Sequence, residues 1–151
     1  MREIPMRVLI NAVMVIVLSA SGAFSDDASF TRREDVIYGR KFGTALTMDV
    51  FTPKQNPNGA AVIVVVSGGW FSAHEAVNPG FAQEFLNRGY TVFAVVHGSQ
   101  PKFTIPEVVQ DMHRAVRFIR YHAKEYNFDP ERIGITGGSA EIGRASCRER
   151  V

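Results

Sequence analysis

Apolar and polar positions change period several times along this chain. Leu46, Met48 and Val50 alternate with Thr47, Asp49 and Phe51, which predicts a half-exposed strand ending at Thr52-Pro53. Gln55-Asn56-Pro57-Asn58-Gly59 reads as a turn. Residues 60–66 are an unbroken, largely β-branched run, the composition of a strand covered on both faces. Phe81, Phe85 and Leu86 take helical spacing in a segment closed by Gly89, and Tyr90–Val96 is a second apolar strand. Val108, Met112, Ala115, Val116, Ile119, Ala123 and Tyr126 recur at three and four, which predicts a long helix over Ile105–Tyr126. Asn127-Phe128-Asp129-Pro130 stops it, and Arg132–Thr136 is predicted as a third buried strand. Strands separated by helices point to an α/β fold with a mostly parallel sheet and helices on both faces.

Ligands and catalysis in open α/β sheets lie outside the carboxyl ends of strands. Two such ends carry glycine-rich turns here, Val66-Ser67-Gly68-Gly69-Trp70 and Thr136-Gly137-Gly138-Ser139-Ala140. A serine flanked by small residues on a sharp strand-to-helix turn holds its hydroxyl clear above the sheet. The N–H after that serine and those of the earlier glycine loop can receive the oxyanion of a tetrahedral intermediate.

From Val36 to Ala140 the chain resembles the amino-terminal part of an α/β-hydrolase of the esterase/lipase group, with its HGGGW-like loop and GGSAGG-like nucleophile elbow. The order of parts matches: paired early strands, glycine loop, helix, strand, long helix with internal Asp111, the turn Asp129-Pro130-Glu131-Arg132-Ile133, then the elbow. The resemblance implies that Ser139 is the nucleophile and that Gly68, Gly69 and Ala140 supply oxyanion N–H groups. It implies structural roles for Asp111 and the Asp129–Arg132 turn. Val66 and Ser67 depart from the family, which usually has His-Gly there. The acid and histidine of such a triad follow the serine in sequence, and the chain runs only a dozen residues past Ser139. A serine hydroxyl with no general base is a poor nucleophile, so the chain as it stands is expected to be inactive and its complete parent to hydrolyse carboxylic esters. The implied partner is a small-molecule or polysaccharide ester. Neither a metal nor an organic cofactor is implied.

The four histidines do not supply the missing base. His113 and His122 are nine residues apart on the predicted helix, about half a turn out of phase, and are expected on its surface. Trp70, His74 and His97 are candidate pocket-lining residues.

Two rival readings stay open. Thr136-Gly137-Gly138-Ser139-Ala140-Glu141-Ile142-Gly143 is similar to the glycine-rich turn of NAD(P)-binding short-chain dehydrogenases. Against that reading, Glu141 puts a charge at a glycine position, and the turn follows several strands where the dinucleotide fold opens with it. A secreted noncatalytic α/β module is the other.

Composition is ordinary for a globular chain: 46% hydrophobic, 21% charged, one Cys, net charge +2. That charge comes from the two ends, residues 24–140 being balanced, so nothing in the charge points to a nucleic-acid or acidic partner and none is expected. Residues 1–23 combine two arginines, an apolar run over Val8–Leu18 and Ser21-Gly22-Ala23, the pattern of a cleaved signal. The run is short of the ~20 residues that span a bilayer, so a secreted or periplasmic protein without stable membrane insertion is expected. Residues 141–151 carry three Arg, two Glu and the Cys where an apolar-faced helix should begin. One back-translation of them resembles a sequencing-library adapter, so a non-native tail replacing glycine at 141 is expected. No composition feature sets an oligomeric state.

Overall fold

The strands arise where β-branched runs meet turn residues. The computed structural model describes residues 29–69 and 71–138, as β1 (Phe30–Lys41), β2 (Thr44–Pro53), β3 (Ala61–Val66), α1 (Pro79–Leu86), β4 (Thr91–Val96), α2 (Ile105–Tyr121) and β5 (Ile133–Thr136). The signal-like segment, Trp70, Ser139, Ala140 and residues 141–151 lie outside them. The five strands form one mixed sheet in the order β1-β2-β4-β3-β5. β1 pairs antiparallel with β2, and β2 with β4, whereas β4, β3 and β5 are mutually parallel.

Period-2 alternation divides the core between the two faces. Met48, Val50, Ile63, Val65, Phe93 and Val95 point toward α2, where Met112, Ala115 and Ile119 meet them. Phe51, Val66, Val92 and Ala94 point the other way, against Ala82 and Leu86 of α1. Helices therefore cover both faces.

Four expectations change. β2 is covered on both sides rather than half-exposed: Asp49 and Phe51 are as buried as Met48 and Val50, because Phe51 enters the α1-side core and Arg32 closes over Asp49. β5 is a half-exposed edge rather than a buried strand, having β3 on one side only among the described residues. α2 ends at Tyr121, and residues 122–127 continue as turns to Asn127 at φ 54°. β1, whose run Arg32-Arg33-Glu34-Asp35 hides any alternation, is absent from the hydropathy pattern. It forms because Phe42 (φ 47°) and Gly43 (φ 73°) fold the chain back as a two-residue hairpin turn with both central residues left-handed.

Both helices start on chemistry visible in the sequence. The Asn78 side chain accepts from the Gly80 N–H at 2.9 Å ahead of Pro79. The Glu107 carboxylate accepts from the Thr104 N–H and hydroxyl at 2.7 and 2.8 Å.

Candidate active site

β3 and β5 are parallel neighbours, with Ala61 opposite Ile133 and Val64 opposite Thr136, so their carboxyl ends emerge side by side. Ser67-Gly68-Gly69 follows one end and Gly137-Gly138 the other. Both turns border one cavity of about 530 Å³, whose described lining includes Ser67, Gly68, Thr136, Gly137 and Gly138. Its floor is apolar, built from Val64, Val66, Val92 and Ala94 of the sheet, and Phe81 and Phe85 of α1 form a wall. Such a chamber suits an apolar acyl group or aromatic ring.

The first turn closes on itself. The Gly68 N–H donates to the Phe71 carbonyl and the Phe71 N–H to the Gly68 carbonyl, both at 2.9 Å. The Gly68 N–H, expected as an oxyanion donor, is engaged by the Phe71 carbonyl. Gly69, at φ 58°, holds the tip of this tight loop, and no acceptor among the described residues takes its N–H. A side chain at that φ would be strained. Ser139 and Ala140 follow Gly138 directly but lie outside the described residues, as does Trp70.

Residues that sequence reasoning missed fasten this loop. Ser72 is buried; its hydroxyl donates to the Val66 carbonyl at 2.5 Å and accepts the His97 N–H at 3.1 Å. One side chain thus ties the loop to the ends of both β3 and β4. Nothing in the sequence marks Ser72, because its partners are backbone groups brought together only by the sheet. Further along, a short 3-10 turn (His74–Ala76) puts His74 Nδ1 at 3.2 Å from Asp35 Oδ1 and 3.9 Å from Asp49 Oδ1. Asp49 is wholly buried and is held by Arg32 Nε at 2.9 Å, by the second Arg32 nitrogen at 2.5 Å, and by the Asp35 N–H at 3.1 Å. A lone acid inside an apolar strand was the available signal.

Asp35, Asp49 and His74 bring ligand-type atoms within 4.8 Å of one another. The Arg32 guanidinium already matches the Asp49 charge, so this pair clasps β1 to β2, with His74 of the loop lying against it.

Neither His74 nor His97 is among the described cavity-lining residues. The His97 ring is buried with Nδ1 2.6 Å from the Gly98 carbonyl oxygen, and since a carbonyl only accepts, Nδ1 carries the proton. His113 is half-buried, and so is His122, whose Nδ1 lies 2.8 Å from the Phe118 carbonyl with its ring stacked on Phe118. His122 is thus not the plain surface side chain expected, because it caps the end of α2 and folds back onto Phe118.

The remaining charged positions brace the scaffold. Asp111 is buried with Oδ1 3.5 Å from Lys41 Nζ, and a Cβ on Gly98 would come within 3.0 Å of its other oxygen. Burial and the nearby Asp111 carboxylate push the Tyr38 hydroxyl well above the usual tyrosine range. Tyr38 therefore stays a donor, to the Val96 carbonyl at 2.8 Å. The Asp129 carboxylate caps its own turn, accepting the Glu131 N–H at 2.9 Å.

Comparison with known proteins agrees with this geometry. The BD-FAE family model matches residues 48–143. A probable isoprenylcysteine alpha-carbonyl methylesterase of Arabidopsis thaliana is 28% identical over 116 residues, covering 76% of this chain and 24% of that protein. An acetylxylan esterase of Xylanibacter ruminicola is 37% identical over 99 residues, covering 62% of this chain and 19% of that protein. Among solved structures, a truncated carbohydrate esterase from gut microbiota superposes with a TM-score of 0.66 at 27% identity, covering 79% of this chain and 43% of that one. The chain spans about a quarter of the length of the curated relatives it matches. With a family model matching most of the chain, esterases among its relatives and the glycine turns set at adjacent strand ends, the chain belongs to the BD-FAE family and forms the amino-terminal part of an esterase-type α/β-hydrolase fold.

Proposed function

We propose that this chain carries the nucleophile and oxyanion elements of a serine hydrolase acting on carboxylic esters. The observation that carries the reading is the meeting of two glycine turns, from β3 and β5, over one apolar cavity. In the proposed reaction the Ser139 Oγ attacks the ester carbonyl carbon as a base takes its proton. The carbonyl π electrons move to oxygen, and the N–H groups of Gly69 and Ala140 receive the resulting oxyanion. Collapse expels the alcohol, which takes a proton, and leaves an acyl-serine; water then releases the acid by the same route. The catalytic acid and histidine come, in this proposal, from parent sequence that continues beyond Ala140, as the relatives' greater length supports. The apolar wall of Phe81 and Phe85 receives the acyl side, and the substrate is a small acyl ester or an ester carried on a polysaccharide. The pattern of residues 1–23 supports action outside the cytoplasm.

The test uses the gene product extended through its downstream coding sequence, with a short-chain chromogenic ester and a fluorophosphonate probe. Ser139→Ala is expected to lower kcat by about 10⁴-fold or more and to abolish labelling. Retained labelling at another residue would overturn the assignment.

A further inference from the structure

Ser67 is the first residue past β3, on the cavity wall beside Gly68 and opposite Thr136, Gly137 and Gly138. Its Oγ is buried and has no hydrogen-bond partner. A buried hydroxyl without a partner is costly, and native structures retain few of them. The neighbouring loop does nothing to satisfy it: the Val66 carbonyl takes the Ser72 hydroxyl, while the Gly68 N–H and carbonyl are both spent on Phe71. The same closure engages one of the backbone donors that the family resemblance implies for the oxyanion. We propose that Ser67 replaces it: the Ser67 hydroxyl donates a hydrogen bond to the substrate carbonyl oxygen and holds it more strongly as that oxygen gains charge. The inference rests on the serine-hydrolase reading and makes Ser67 a further catalytic residue of that site. No proton is transferred. The hydroxyl turns its O–H toward the forming oxyanion and releases it when the carbonyl re-forms, a donor satisfied only with substrate in place.

The test is steady-state kinetics and thermal unfolding on the extended gene product. Ser67→Ala is expected to lower kcat by about 100-fold with KM little changed, the scale of losing one oxyanion donor. Its thermal midpoint should not fall, since the hydroxyl makes no bond in the free protein. Ser67→Thr, which keeps the hydroxyl, should restore most of the lost rate. Parental kcat in Ser67→Ala, with Ser139→Ala inert, overturns the Ser67 role and leaves the hydrolase standing. A slow Ser67→Ala that also melts earlier and is not rescued by threonine overturns it too, as a structural position. A parent that hydrolyses none of the esters overturns both.

Discussion

At the scale of single residues, the site divides into groups that would meet substrate and groups that hold them. Ser139, the proposed nucleophile, stands out in the sequence because its neighbours are small and follow a strand. Ser72 could not, since its role exists only once Val66 and His97 stand side by side at the ends of β3 and β4. Its importance is open to measurement. Ser72→Ala leaves the Val66 carbonyl and the His97 N–H without their partner in a buried setting, and each unmet group carries a desolvation cost. The expected loss is about 1–3 kcal/mol, read as a lower urea midpoint with an unchanged slope. A parental midpoint would show that water replaces the hydroxyl and that the loop needs no such tie. Asp49 teaches a related lesson. The alternation assigned it to solvent, yet the fold buries it fully and supplies Arg32 from a strand too charged to be recognised by hydropathy.

At the scale of elements, the sequence was most legible where one force dominates. The β-branched runs gave β3 and β4 to within a residue, and the start of α2 was right because Ile105 begins a sustained apolar stripe. Its end was misplaced: Ala123 and Tyr126 keep the spacing and are buried, but they reach the core from turns, not from helix. Glu107 makes the N-terminus of α2 testable through pH. Its carboxyl is held below the ordinary 4.5, first by the Thr104 N–H and then by the Thr104 hydroxyl. A lowered folded value means that this stabilisation is fully present above the unfolded value near 4.5 and is lost as pH falls through the folded one. The thermal-midpoint gap between the parent and Glu107→Gln should therefore be largest near neutrality and narrow below about pH 4. A gap that stays constant down to pH 3 would place the contribution of Glu107 elsewhere.

At the scale of the whole molecule, the two ends of the sheet do different work. The carboxyl end carries glycine turns and the cavity. The opposite end is closed by hydrogen bonds linking three separate connections: the Asn58 N–H donates to the Gly89 carbonyl at 2.8 Å, the Asn58 side chain to the Arg88 carbonyl at 2.7 Å, and the Asp129 N–H to the Gly59 carbonyl at 2.9 Å. The sequence marked all three places as turns without showing that they touch. Gly89 is where they press closest. Its φ is +79°, and a Cβ there would lie 2.2 Å from the Asn56 carbonyl oxygen and 2.9 Å from the Asn58 nitrogen. Both are backbone atoms, so no rotamer change relieves the overlap, and the backbone of two turns would have to separate. Gly89→Ala is accordingly expected to cost well over the ~1 kcal/mol of an ordinary left-handed alanine, read as a lower urea midpoint. Gly43→Ala is the control, having a similar φ of +73° and nothing within 4 Å of its Cβ. It bears the conformational cost alone. If both variants unfold at the same urea concentration, the contact with Asn56 contributes nothing, and the hydrogen-bonded end of the sheet is looser than its geometry implies.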